Sequence, residues 1–437
     1  MKVRFIRPNL YDDRSSDAME PLCFAILKSL TPDDVETSFY DERLEPIPID
    51  AETDLVAMTV ETYTARRAYQ IAAQYRELGI PVVFGGYHPT FLPDEALQHA
   101  DAVVQGDAEG VWGQILEDAK NNRLAKLYQS AEFPDLANII PDRSIFEGKK
   151  YAPMALVQYG RGCKFNCSFC SIRAFYGNNL RQRPVADVVE DIRRSGRKHV
   201  FLVDDNIFVN VEKARELFEA LIPLNIKWSC QVSIDVARDT DLVQLMATSG
   251  CISALIGIES LDPGSLKEIK KGWNVKWQSY DDAIEVFQNA GIMLYGTFVF
   301  GCDNDTVESF DAAVDFAIRH KFILANFNPL TPTPGAPLFD QMQREGRLLH
   351  ERWWLDPDFK YGDATMQPLN MTADELTRGC FSARQKFNTF KSICSRLGDR
   401  RTNIRTPFRA GVYLLSNFVS RREIYRKQKR ALGRAGQ

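Results

Sequence analysis

Three thiols define the chemistry open to this chain. Cys163, Cys167 and Cys170 fall within eight residues, in the run Gln158-Tyr-Gly-Arg-Gly-Cys163-Lys-Phe-Asn-Cys167-Ser-Phe-Cys170, with the spacing C-x3-C-x2-C. Soft thiolates crowded on one loop suit zinc or an iron–sulfur cluster. A structural zinc site needs a fourth thiolate or an imidazole close by. The 28 residues after Cys170 supply neither, and the nearest candidate, His199, stands before a strand-like run. A zinc knuckle is therefore the weaker reading. A [4Fe–4S] cluster on three cysteines leaves one iron open, and an open iron is a place for a substrate to coordinate. The other six cysteines, at 23, 230, 251, 302, 380 and 394, are scattered singly. They read as packed thiols and not as a disulfide framework.

The elements that must hold this loop follow a regular rhythm. From Pro153, candidate strands Met154–Tyr159, His199–Val203, Lys227–Val232, Ala254–Ile258, Met293–Phe300 and Ile323–Asn328 alternate with helical runs. About six β/α units predict a partial (β/α)6 barrel, whose working end is the carboxyl end of its strands. The cysteine loop follows the first strand directly. At later strand ends stand Val203-Asp204-Asp205-Asn206, then Gln231 and Ser233, then Ile256-Gly-Ile-Glu259-Ser260, and Gly296 and Gly301 flank the fifth strand. The run Pro332–Pro337 reads as a stiff loop.

Ahead of the barrel, short apolar strands alternate with helices over the first 130 residues. This pattern predicts a Rossmann-like α/β unit with a parallel sheet covered on both faces. Ligands of such sheets bind outside the carboxyl ends of the strands, where Gly85, Gly86, His88, Gly106 and Asp107 fall. The expected organisation is 1–130 for this unit, 131–150 for a linker, 151–340 for the barrel and 341–437 for a mostly helical region with a basic tail. Thr372 with Glu375 predicts a capped helix start in that last region. Trp353 and Trp354 either line an apolar pocket or anchor a core.

The cysteine segment, with Phe169 before the last cysteine, resembles the cluster loop of the radical S-adenosylmethionine superfamily. The resemblance covers roughly residues 1–395. It implies that Cys163, Cys167 and Cys170 hold a [4Fe–4S] cluster whose open iron binds S-adenosylmethionine. One electron then yields methionine and a 5′-deoxyadenosyl radical. It places Asp205, Gln231, Ser233 and Glu259 near that cofactor and Gly296 near its adenine. Asp204-Asp205-Asn206 departs from the family's glycine-rich form, which leaves open which of the three faces inward. The N-terminal unit resembles the cobalamin-binding domain fused to many such enzymes, with Phe84-Gly85-Gly86-Tyr87-His88-Pro89-Thr90 and the run from Val103 to Gly110 as the matching pieces. The usual Asp-x-His-x-x-Gly cobalt-binding loop is missing, because the comparable region reads Tyr40-Asp41-Glu42-Arg43-Leu44-Glu45. His88 is the remaining candidate ligand, or a contact for the nucleotide tail; a vestigial domain that binds nothing is the alternative.

Together these features imply cobalamin-dependent methylation of an unactivated carbon in a small-molecule or lipid substrate, with an external donor such as flavodoxin or ferredoxin. The alternative is a rearrangement, a cyclisation or the transfer of another group by the same superfamily. A net charge of −4 gives no preference for nucleic acid. The opening MKVRFIRP reads as a strand and not as a secretory leader, so a cytoplasmic setting is expected. From Arg400 onward there are 11 Lys/Arg and one acid, Glu423, around the apolar run Gly411–Ser420. That tail is expected either to touch an anionic membrane face or to pack on the barrel with a solvated basic side.

Overall fold

The computed structural model describes residues 1–15, 17–275 and 279–434. Runs such as Leu-Val-Ala-Met-Thr and Val-Val-Phe-Gly carry almost no polar group to show to water, so they become central strands buried on both faces. The first unit is a parallel six-stranded sheet of β1 (Lys2–Arg7), β2 (Glu36–Asp41), β3 (Leu55–Thr59), β4 (Val82–Gly85), β5 (Ala102–Gln105) and β6 (Leu127–Gln129). Its order is β2-β1-β3-β4-β5-β6. The chain reverses its direction of growth between β1 and β3, which opens a ligand crevice at their carboxyl ends. Strand β6 was not foreseen, because three residues with one buried side chain show no period. The segment after it is no slack linker. Its short turn Arg143–Phe146 lays Phe146 into the core of the first unit, 5.5 Å from Phe39.

The second unit begins with β7 (Ala155–Val157). A short antiparallel ribbon follows, β8 (Gly160–Arg161) with β9 (Arg181–Gln182). The sheet then continues through β10 (His199–Leu202), β11 (Lys227–Val232), β12 (Cys251–Glu259), β13 (Met293–Phe300) and β14 (Leu324–Pro329), in the parallel order β14-β13-β12-β11-β10-β7. It is the expected partial barrel. Alternation along each strand divides its residues between two surroundings. On β12, Ala254, Ile256 and Ile258 join the core under the helices, whereas Ser253, Leu255, Gly257 and Glu259 take the lumen side.

The C-terminal region ties the two units together. Trp353 and Trp354 are buried in the core of the first unit, and Trp354 Nε1 donates to Glu95 Oε1 at 2.9 Å. Both therefore anchor a core. Thr372 and Glu375 form the expected capping box of the helix Ala373–Phe387. The helix Pro407–Lys427 crosses the amino-terminal end of the barrel, where Asn417 Nδ2 donates to Ile323 O at 3.0 Å. The preceding Arg405 donates to Ala290 O at 3.0 Å. The last turn of the helix and the basic tail after it are not a loose arm. Arg426 pairs with Asp13 at 2.6 Å, Lys427 with Asp17 at 3.1 Å and Arg434 with Asp12 at 3.1 Å. Among the described residues no helix is long and apolar enough to cross a membrane.

One buried charge network fixes how the two sheets meet. Arg161, on β8, pairs with Asp107 at 3.0 Å and with Glu109. Arg181, its partner on β9, reaches Asp107 at 2.7 Å. Asp107 and Glu109 belong to the loop after β5, so the lock joins the carboxyl edge of the first sheet to the ribbon that precedes the cysteines. Aromatic contacts extend the seam. Tyr87 and Phe91 pack on Phe175 at 4.7 and 6.2 Å. Gly335 of the proline-rich loop lies so near Phe91 that a Cβ would come within 2.3 Å of its ring. Replacing Arg161 by Ala leaves Glu109 without its countercharge and Asp107 with Arg181 alone, at a cost of about 3 kcal/mol. Denaturant unfolding, with limited proteolysis of the seam, checks this. A loss below about 1 kcal/mol would show that the lock does not hold the seam.

Candidate cofactor site between the two sheets

The cysteine loop is held from both ends. Gly162 opens it at φ 93°, and a Cβ there would lie 2.5 Å from Asn179 O, so only glycine serves. Asp205 Oδ2 accepts from Gly162 N at 2.8 Å. Further along, Ser168 N donates to Ile269 O at 3.1 Å, and Ser168 O accepts from Leu338 N at 2.9 Å. Cys167 is buried, and Cys163 and Cys170 are half-buried. Burial pushes the Cys167 thiol up to about 12, the Lys271 ammonium works in the opposite direction, and the other two thiols add to the rise. A thiolate set in such surroundings calls for bound positive charge, which a cluster's irons provide. Among the described residues, no three Cys, His, Asp or Glu side chains converge as closely as one metal ion requires. Three cysteines of a cubane bind separate irons and need no such convergence.

The strand-end residues fall into two groups. In the first, Asp204 turns back to accept from Tyr159 N at 3.2 Å and from Gly160 N, and burial pushes its carboxyl up to about 7. Asp205 is the one that faces the cysteine loop. Gln231 Nε2 donates to Asp205 O at 3.3 Å, and Ser233 Oγ accepts from Asn206 Nδ2 at 3.2 Å. Asp205, Gln231 and Ser233 therefore line one side of the lumen mouth together.

The second group surrounds Glu259. The register of β12 slips between Gly257 and Glu259, and Glu259 takes φ 64°. Its carboxylate accepts from Lys271 Nζ at 2.7 Å and from Thr297 Oγ1 at 3.4 Å. A Cβ on Gly257 would lie 2.2 Å from Glu259 Oε1 and 2.4 Å from Lys271 Nζ, so that glycine makes room for the ion pair. Lys271 and Thr297 were missed. Lys271 ends the charged run Lys267-Glu-Ile-Lys-Lys, which reads as a solvated face, and only the fold buries it. Beside it, Trp273 stacks on Phe165 of the cysteine loop at 3.6 Å. At Gly296 the Cβ position points to the helix layer and lies 2.5 Å from the Phe322 ring, so close packing there requires glycine. On β13 the lumen side belongs to Tyr295, Thr297 and Val299.

Across the seam lies the glycine edge of the first sheet. Gly85 ends β4, and Gly86 follows at φ 104°, with a Cβ position 2.9 Å from Val60 O. Gly106 has φ 80° and open space where a side chain would project. Thr90, the last residue of the run Phe84–Thr90 that resembles a cobalamin-binding domain, staples these loops. Its hydroxyl donates to Gly86 O at 2.7 Å and accepts from Gly106 N at 3.1 Å. His88 corrects an expectation. The helical turn Tyr87–Phe91 sends residues 87 and 91 toward Phe175 and residue 88 into the core. There His88 Nε2 meets the Tyr69 hydroxyl at 2.9 Å and Glu95 Oε1 at 3.1 Å. The other four histidines are engaged elsewhere: His99 on Tyr69, His199 on Phe408, His320 with Asp281 and His350 with Asp356. Tyr87, next to Gly86, packs 4.7 Å from Phe175, five residues after Cys170, which sets the glycine edge beside the cysteine loop; burial and the nearby Tyr176 and Asp205 push its hydroxyl upward.

Comparison with known proteins agrees with this geometry. Residues 157–317 match the Radical SAM superfamily, and residues 29–116 match the B12 binding domain. The chain is 31% identical over 364 residues to bacteriochlorophyllide d C-8(2)-methyltransferase of Chlorobaculum tepidum, covering 78% of this chain and 80% of that protein. The chain belongs to the cobalamin-binding radical S-adenosylmethionine enzymes. This radical S-adenosylmethionine enzyme is also 29% identical over 396 residues to bacteriochlorophyllide d C-12(1)-methyltransferase of the same organism, covering 88% of this chain and 86% of that protein. Its fold matches that of TsrM from Kitasatospora setae, a radical S-adenosylmethionine methyltransferase solved with cobalamin and a [4Fe–4S] cluster, with TM-score 0.68 and 16% identity over 98% of each chain. Like its family, the enzyme uses an iron–sulfur cluster, S-adenosylmethionine and cobalamin.

The burial of His88 makes a spectroscopic prediction. In this radical S-adenosylmethionine enzyme, His88→Ala leaves the electron paramagnetic resonance spectrum of bound cob(II)alamin unchanged. It lowers stability by about 1–3 kcal/mol through the lost ring packing and the two lost hydrogen bonds, while Glu95 keeps Tyr69 and Trp354 as donors. Nitrogen splitting present in the wild type and absent in the variant would make His88 a cobalt ligand.

Proposed function

We propose that this enzyme methylates an unactivated carbon of a small-molecule or lipid substrate. One observation carries the reading: the Arg161 lock and the packing of Tyr87 and Phe91 on Phe175 bring the carboxyl edge of the first sheet against the cysteine loop of the second. S-adenosylmethionine on the cluster supplies a hydrogen-abstracting radical, and cobalamin supplies a methyl carrier. The chain's own residues bind, orient and exclude water. Cys163, Cys167 and Cys170 hold the cluster. Asp205, Gln231 and Ser233 offer oxygen atoms to the ammonium of S-adenosylmethionine. Glu259 takes its ribose or ammonium, and Lys271 and Thr297 hold that carboxylate in place. Gly85, Gly86 and Gly106 let the corrin and its tail approach the backbone, with Thr90 fixing the edge. The electron comes from an external donor of the flavodoxin or ferredoxin kind. Two relatives that span most of the chain are named bacteriochlorophyllide d methyltransferases, which supports methyl transfer and makes bacteriochlorophyllide d the first substrate to test.

Anaerobically reconstituted enzyme with substrate, reductant and S-adenosylmethionine is expected to release 5′-deoxyadenosine and S-adenosylhomocysteine in equal amounts. Release of 5′-deoxyadenosine alone would transfer the chain to the rearranging or cyclising members. Alanine at Cys163, Cys167 or Cys170 abolishes both products and the bound iron. Glu259→Gln weakens a charge-assisted contact, and the KM for S-adenosylmethionine is expected to rise roughly 10- to 100-fold with the iron content unchanged. An unchanged KM would remove Glu259 from the cofactor site.

A further inference from the structure

The helix Pro407–Lys427 has two unlike faces. Inward, Tyr413 and Asn417 are buried against the amino-terminal end of the barrel, and the Tyr413 hydroxyl donates to Ile393 O at 2.8 Å. Outward, at helical spacing, run Phe408, Gly411, Leu415, Phe418, Arg422 and Tyr425. The four large apolar side chains in that row are 41, 67, 51 and 47% exposed, and Leu415 is the most exposed large hydrophobic residue among those described. Phe390, 59% exposed at the start of the neighbouring helix Phe390–Leu397, widens the row. Single exposed hydrophobics are ordinary, but a continuous row of them signals contact.

The cations around this row differ from those at the far end of the helix. Arg426 and Lys427 spend their charge on Asp13 and Asp17. Arg405, Arg409 and Arg421 instead donate to the backbone carbonyls of Ala290, Gly291 and Asn388. Among the described residues none of these three has a carboxylate partner, so the border of the row keeps its positive charge. Arg421 lies 4.6 Å over the Phe390 ring and 5.7 Å from that of Tyr425. Its stem thus lies along apolar surface while its head stays at the polar margin.

We infer that this face docks on an anionic lipid bilayer, with Phe408, Leu415, Phe418 and Phe390 at headgroup depth, Arg405 and Arg421 facing lipid phosphates, and Arg422, 3.8 Å from Glu423, on the same border. The row is narrow and lies on a convex helix, which suits shallow insertion into a fluid interface. The cations of Arg405, Arg409 and Arg421 complement anionic headgroups.

The test is flotation of the reconstituted holoenzyme with phosphatidylcholine vesicles, with and without phosphatidylglycerol, at low and high salt. The Leu415→Asp/Phe418→Asp and Arg421→Gln/Arg422→Gln variants are compared after checks of iron content and circular dichroism. Phosphatidylglycerol-dependent flotation is expected, falling about tenfold or more in each variant and at high salt. Absence of that flotation overturns the inference, as does equal flotation of Leu415→Asp/Phe418→Asp. A concentration-dependent dimer that the same variant abolishes, without vesicle binding, overturns it in favour of a second copy of the chain.

Discussion

Arg161 carries a full charge into the seam between two sheets, and the surrounding structure is arranged to compensate it. Asp107 and Glu109 come from the edge of the first sheet, Gln158 Oε1 accepts from its Nε at 2.8 Å, and Arg181 shares Asp107 from the paired strand. The attraction outweighs desolvation only because the partners are close and hydrogen-bonded. Its position matters as much as its energy. Arg161 stands two residues before Cys163, and the intervening Gly162 is held by Asp205 from the end of β10. The cysteine loop is thereby referenced to both sheets at once.

A second ion pair sets the interior of the barrel mouth. Glu259 and Lys271 meet where Gly257 leaves room, under a register slip and a positive φ that a regular strand would not tolerate. Strain of this kind persists only where surrounding contacts over-determine it. Here Thr297, Asn274 and the stacked Trp273–Phe165 pair provide those contacts. The Lys271 cation also opposes the build-up of negative charge at Cys163 and Cys167, so one lysine serves both the carboxylate and the cysteine loop.

Much of this was legible in the sequence, and the failures share a cause. The thiol spacing, the strand-end carboxylates and the two α/β rhythms are local patterns, and local patterns survive in a one-dimensional reading. The packing of Gly296 on Phe322 was not legible because one residue of phase decides whether a strand position faces lumen or helix, and a glycine carries no side chain to reveal its phase. His88 was misplaced for a similar reason: the turn after Gly86 alternates outward and inward residues, and the partners that claim the ring, Tyr69 and Glu95, lie elsewhere in the chain. Lys271, the hydrogen bonds of Thr90 and the Arg161 lock were invisible because their meaning depends on distant loops. Trp353 and Trp354 were left between pocket and core, and contact with the first unit decides for core.

The central claim is that the two cofactor-bearing edges face one another across a single space. Electron paramagnetic resonance of enzyme loaded with both cob(II)alamin and the reduced cluster tests it most directly. The account predicts that each signal is broadened by the other, with less broadening in the Arg161→Ala variant. A spectrum that is the plain sum of the two singly loaded forms would contradict it.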